Sequence, residues 1–201
     1  MKVSLGAAAL AMPLPVWVIG SYSEDGAPDA MTAAWCGICC SEPPCVAVSL
    51  RRSRLSYKNI IARRAFTVNV PSGEYIAEVD YFGLVSGRDE EKFLMTGLTA
   101  GRSKLVDAPY IEEFPLVLEC KVLKVVEIGA HIQFIGEIAD VKADGSILGE
   151  NGLPALERVK PLVCSPTDKK YYEVGVILGQ TYSTGGKIRD KNRDVLPRGP
   201  A

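Results

Sequence analysis

Histidine is nearly absent from this chain: His131 is the only one in 201 residues, which removes any multi-histidine metal centre. Aromatic residues make up 7% of the sequence, too sparse for a surface that stacks successive nucleobases. An excess of one charge is missing as well. The 23 basic and 24 acidic residues leave a formal net charge of −1, so composition supplies no attraction to nucleic acid or to an anionic membrane. No internal repeat or low-complexity block is present. No G-x-G-x-x-G opens a helix after a strand, which argues against a nucleotide-binding α/β fold. An unbroken apolar run of membrane-spanning length is lacking too. Lys2, the apolar stretch from Leu5 to Ile19 and Ala7-Ala8-Ala9 have the outline of a secretory leader, but Pro13 and Pro15 interrupt it. We expect instead a buried first strand preceded by an apolar N-terminal segment, and a cytoplasmic protein.

Cysteine is present, six residues in all. In a reducing compartment these imply no disulfide framework. Cys36, Cys39, Cys40 and Cys45 are close enough to suggest a metal cluster. Against that, Cys36 and Cys39 lie an odd number apart on a strand and face opposite sides, and the Pro43-Pro44 turn lacks the glycines that let a chain wrap a metal. Packing is the expected role of these thiols, and no metal site is expected.

The rest of the chain reads as antiparallel strands joined by hairpins. Val16–Tyr22 turns at Glu24-Asp25-Gly26 into a strand from Met31 to Cys39, apolar with little alternation, so both of its faces should be covered. Ser41-Glu42-Pro43-Pro44 breaks the ladder, and Val46–Leu50 returns. A helix follows, capped by Ser53 or Ser56, with Tyr57, Ile60 and Ile61 on one face. Ala65–Val70 is a strand ending at Pro71. Ser72 then looks like an N-cap for a helix carrying Ile76, Val79 and Phe82. Ser86-Gly87 starts a short helix with Asp89, Glu90 and Glu91 in its first turn, where Lys92 reads from spacing alone as a solvated residue. Leu118, Cys120 and Val122 alternate with Glu119 and Lys121, which puts the charged pair outward, and Leu123–Val126 breaks the pattern as a bulge or as burial on both sides. His131–Val141 sets Ile132, Phe134 and Ile138 against His131, Gln133, Ile135 and Glu137. Residues 1–188 are expected to form one domain, mainly β, a closed antiparallel barrel with helical insertions; 189–201 form a polar tail.

Chemistry concentrates where the Val46–Leu50 strand meets the helix. Backbone amides, hydroxyls and Arg51, Arg52 and Arg54 converge there, as an anion requires. Taken alone the junction is better explained as an ordinary strand-to-helix connection, since most of these bind nothing.

A longer pattern runs through the same region. Thr32-Ala33-Ala34-Trp35, Ser41-Glu42-Pro43-Pro44, Val48-Ser49-Leu50-Arg51, Ser56 and Asn59-Ile60 are followed by Phe66-Thr67-Val68-Asn69. Ser86-Gly87-Arg88 with Glu91-Lys92-Phe93, and His131-Ile132-Gln133-Phe134-Ile135-Gly136-Glu137, complete it. In order and spacing, over nearly the whole chain, this resembles the flavin reductase-like family of FMN-binding split barrels. The resemblance implies a Greek-key barrel, a homodimer with flavin near its interface, and non-covalently bound FMN. Thr32, Ala33, Ala34 and Trp35 are implied as the wall at the ring edge, and Ser49, Leu50 and Arg51 as the loop along the ribityl chain. Ser56 is implied as a phosphate donor, Lys92 as its countercharge, and His131 as a contact that hydrogen-bonds the cofactor or steadies charge on the reduced ring.

Three residues depart from the family pattern. Asp29 stands where asparagine is expected, Ser56 where threonine is common, and Cys164 where an aromatic would form one wall of the pocket. The implied activity is an FMN-dependent oxidoreductase that takes electrons from NAD(P)H or a redox protein. Its alternatives are a flavin-bearing electron carrier without NAD(P)H activity, and a cysteine-ligated metal protein or redox sensor.

Overall fold

Strands outnumber helices in this chain, and most of its helices are short connections. The computed structural model describes residues 1–186 and Ile188; the tail expected at 189–201 lies outside the described residues. Among them are β1 (Leu14–Pro15), β2 (Trp17–Tyr22), β3 (Pro28–Ala33), β4 (Cys36–Ser41), β5 (Pro44–Arg51), α1 (Leu55–Arg63) and β6 (Ala65–Val70). A 3-10 turn (Gly73–Tyr75) leads into α2 (Ile76–Leu84) and α3 (Lys92–Thr96), followed by β7 (Ala100–Arg102) and β8 (Pro109–Ile111). The long hairpin β9 (Leu116–Ile128) and β10 (His131–Ala143) precedes α4 (Leu156–Val159), β11 (Leu162–Cys164) and β12 (Tyr171–Glu173).

The main sheet has seven antiparallel strands in the order β3-β2-β6-β9-β10-β5-β4. Its two edges, β3 and β4, are consecutive in the chain and separated only by Ala34 and Trp35. The sheet therefore rolls round until its edges meet across those two residues, giving a barrel with a split seam. The Trp35 carbonyl accepts from Ser49 N at 2.9 Å and fastens the seam to β5. The one strand expected over Met31–Cys39 is thus two strands, on opposite edges of the sheet. Its first half is covered, with α2 and α3 packed on β3, whereas β4 is largely exposed and among the described residues no strand pairs with its outer side.

Inside the barrel pack Ile19, Val46, Val48, Ile60, Phe66, Val68, Cys120, Ile132 and Phe134, all fully or nearly fully buried. A second cluster under α2 contains Val16, Val18, Ala30, Val79, Phe82, Ile111, Phe114 and Leu162. Strand β2 serves both, with Ile19 pointing inward and Val18 outward, hence its unbroken apolar run. Gly136 exists because Phe66 lies against it: a Cβ there would overlap the phenyl ring.

Elsewhere the fold departs from pattern reasoning for local reasons. Glu119 points out of the barrel as its alternation requires, yet it is fully buried. The segment after β7 covers it, with Leu105 N donating to Glu119 Oε2 at 3.1 Å and Lys142 Nζ 2.9 Å from Oε1. Leu123 is the extra residue of a bulge against Ile135 and Gly136. Neither Ser53 nor Ser56 caps α1; the cap position is Arg54, and no side chain bonds there. Asp89, Glu90 and Glu91 precede α3, so the helix starts only at Lys92. Residues 1–13 are exposed and outside any strand, so among the described residues nothing buries the apolar N-terminal segment.

Candidate functional site

The seam between β3, β5 and α1 opens into a cleft of two adjoining lobes. One, of about 350 Å³, lies between the start of α1 and the segment joining α2 to α3; Ser53, Arg54, Ser56, Ser86, Gly87 and Arg88 are among its lining residues. The other, of about 260 Å³, is walled by Thr32, Ala33, Ala34, Trp35, Ser49, Leu50 and His131. Met31, Arg51 and Arg54 line both, so the lobes meet there.

The first lobe is built for an anion. Helix α1 directs its uncapped N-terminus at it, leaving first-turn N–H groups without side-chain acceptors. Arg51 and Arg54 form no ion pair among the described residues, and Arg88 donates to Ser53 O at 2.9 Å across the mouth. Arg52, grouped with them in sequence, turns away to Glu127 at 2.7 Å and lies over Tyr57. Arg88 takes its place, a residue that spacing does not single out because its loop closes on Ser53 only in three dimensions.

Beneath this lobe lies a buried charge pair. Asp29 and Lys92 are 5% exposed each. Lys92 Nζ is 3.4 Å from Asp29 Oδ1 and donates to the carbonyls of Ala30 at 2.7 Å and Phe82 at 3.3 Å. Burial holds its ammonium below the usual lysine range, with Asp29 pulling the other way and Arg54 adding to the depression. Ser56 gives its hydroxyl to Asp29 Oδ2 at 2.9 Å, while Oδ1 has only the Lys92 ion pair and no hydrogen-bond donor among the described residues. Gly87 packs directly over that oxygen, and a Cβ there would overlap it. The carboxylate that replaces the expected amide is therefore matched by Lys92 and Ser56, both of which also border the cleft. Reading Lys92 as a solvated helix residue is overturned by its burial: α3 starts at Lys92 and turns it inward onto β3.

The second lobe has an apolar and aromatic wall, formed by Ala33, Ala34, Leu50, Trp35 and His131. Trp35 and His131 stack with ring centroids 5.0 Å apart and planes within 9°, and Trp35 stays 51% exposed, so a broad aromatic surface remains open. The sheet register explains the pairing, since His131 lies opposite Arg51 and Gln133 opposite Ser49, next to the seam. Gln133 Nε2 reaches Ser49 Oγ at 3.4 Å. The Thr32 hydroxyl bonds to the Val79 carbonyl, which ties β3 to α2. Cys164 is not among the lining residues. It pairs with Leu14 across β1–β11 and packs on the second core cluster, near Cys36. Among the described residues no group of three His, Cys, Asp or Glu is arranged to hold a metal ion, and all six cysteines are free.

A family model described as a flavin reductase like domain matches residues 9–167. The chain belongs to this family. Flavoredoxin of Desulfovibrio vulgaris (Miyazaki F) is 47% identical, with a TM-score of 0.88 over 92% of this chain and 100% of that one. Flavoredoxin from Methanosarcina acetivorans, 28% identical, also has a TM-score of 0.88, covering 94% of this chain and 99% of its own. A high molecular weight rubredoxin of Moorella thermoacetica is 31% identical over 102 residues, 50% of this chain and 43% of that protein. The expected split-barrel fold is thereby established, and the flavin reductase like proteins are this chain's relatives. No helix among the described residues is long and apolar enough to cross a membrane.

Proposed function

We propose that the protein binds FMN in the two-lobed cleft and works as a flavin-dependent oxidoreductase. The observation that carries this reading is the continuity of a basic, amide-lined lobe with one that has an apolar and aromatic wall, through Met31, Arg51 and Arg54. FMN has the matching shape: a dianionic phosphate at one end, a flat ring at the other and hydroxyls between. The donor set fits it. Ser53, Arg54, Ser86, Arg88 and the start of α1 would hold phosphate, Arg51 and Ser49 the ribityl chain, and Thr32, Ala33, Ala34, Trp35, Leu50 and His131 the ring. Asp29, Ser56 and Lys92 form the floor, where Lys92 neutralises Asp29 and so keeps that carboxylate from repelling phosphate. When bound, FMN supplies the hydride and electron chemistry, and the protein contributes orientation, electrostatics and exclusion of water. No separate acid–base pair is needed.

NAD(P)H or a redox protein is the electron donor in this reading. The likeness to a protein named as a rubredoxin favours a protein partner, and hence the electron-carrier alternative. The working unit is a homodimer that covers the open face of Trp35, residues 1–188 act as one domain, and the setting is cytoplasmic. Reconstitution tests the proposal. The apoprotein should take up FMN to give a yellow complex with quenched tryptophan emission. Arg54→Ala and Arg88→Ala should each weaken FMN by about one to two decades, the worth of a charge-assisted phosphate contact, while leaving riboflavin little changed. Equal losses for both ligands would place phosphate elsewhere. Anaerobic bleaching by NADH or NADPH then separates a reductase from a carrier.

A further inference from the structure

The β4–β5 hairpin carries four thiols that the flavin reading does not use, and three of them, Cys39, Cys40 and Cys45, lie near its turn. Cys39 is the extra residue of a bulge, and beyond it Cys40 stands directly opposite Cys45 in the antiparallel register. Residues so opposed have Cα atoms about 4.5–5.5 Å apart, inside the roughly 4.4–6.8 Å span of a disulfide. Cys40 is exposed and donates its thiol to the Glu42 carbonyl at 3.3 Å, whereas Cys45 is 2% exposed. Burial, helped by the nearby Cys40, Cys39 and Glu137, pushes the Cys45 thiol up, so it stays protonated at neutral pH and Cys40 is the group that reagents meet.

We propose that Cys40 and Cys45 form a reversible dithiol–disulfide site whose oxidant is a small-molecule disulfide. The Cys40 thiolate attacks one sulfur of the reagent, RSSR; the reagent's S–S bond breaks and RS⁻ leaves, giving a mixed disulfide. Cys45 then attacks the Cys40 sulfur and releases its proton, and the second RS⁻ leaves. In sum two protein thiols are oxidised to one disulfide and RSSR is reduced to two RSH. The cross-link fastens the unpaired edge strand β4, which begins next to Trp35, onto β5.

The test is exposure of the purified protein to oxidised glutathione, alkylation of remaining thiols, and proteolysis with mass spectrometry. Cys40 and Cys45 should emerge in one internally linked fragment that dithiothreitol reopens. Cys39→Ser should leave the linkage intact, and Cys45→Ser should stop the reaction at glutathione on Cys40. Glutathione persisting on Cys40 of the unsubstituted chain, a disulfide that enlists Cys39, or a bridge between two chains would each overturn the proposal. Far-UV dichroism of each variant confirms that the thiol, not the fold, has been changed.

Discussion

Replacing Lys92 by methionine removes one charge from a pair whose side chains are only 4% and 6% exposed and leaves Asp29 buried with a single donor, the Ser56 hydroxyl. At the observed 3.4 Å, and with an effective dielectric constant of about 20, the direct attraction is roughly 5 kcal/mol. Breaking a buried pair by deleting one partner costs about 3–5 kcal/mol, a similar figure. The Ala30 and Phe82 carbonyls lose their donor in addition. For a chain of 201 residues each kcal/mol moves Tm by about 2–4 °C, so the melting temperature should fall by roughly 6–20 °C. Adding Asp29→Asn should restore much of the loss, since the stranded carboxylate is what makes the single change costly. Thermal melts of the two single variants, the double variant and the unsubstituted protein at pH 7 complete a double-mutant cycle. If Lys92→Met melts within about 2 °C of the parent, or if the two substitutions simply add, the pair does not support this site and the argument from burial fails.

Three further outcomes follow from the same geometry. Gly87→Ala should lower FMN affinity and Tm together, because the new methyl displaces Asp29 and Leu55 at the cleft; titration with FMN alongside a melt checks both. Gly136→Ala should cost about 1–3 kcal/mol in urea titrations with flavin binding kept, since it overpacks against Phe66 at a distance from the cleft. Stability should fall on the alkaline side, because burial pushes the Cys36 thiol from 9.0 up to about 12 and raises Cys120 further. The unfolded chain gives up those protons first, so the contribution is whole below pH 9.0 and is lost as pH rises towards about 12; in Cys36→Ala part of that slope should vanish from urea midpoints measured between pH 8 and 11.

Much of the architecture was legible because it rests on local rules. An apolar run stopped by Pro71 predicted β6 from Ala65 to Val70, period-two alternation and turn residues predicted the β9–β10 hairpin, and the order of short motifs pointed to the split barrel before any strand was placed in space. Two segments that line the cleft were singled out for the same reason: Thr32–Trp35 and Ser49–Arg51 are each contiguous, and the backbone carries both to one lobe.

What tertiary structure decided is where local pattern and long-range contact conflict. A run from Met31 to Cys39 gives no sign that it crosses the seam from one sheet edge to the other. Glu119 obeys its alternation and is buried all the same, because the irregular segment after β7 folds over it. Lys92 looks solvated among Asp89, Glu90 and Glu91, yet the buried carboxylate of Asp29, 63 residues earlier, sets its direction. The same holds for the arginines. Arg52 is adjacent to Arg51 but faces Glu127, while Arg88 arrives at the cleft from another loop. Charge in the sequence shows how many cations are available; only packing, which makes an unpaired buried charge too costly to keep, decides which of them are held inside and which are left for a ligand.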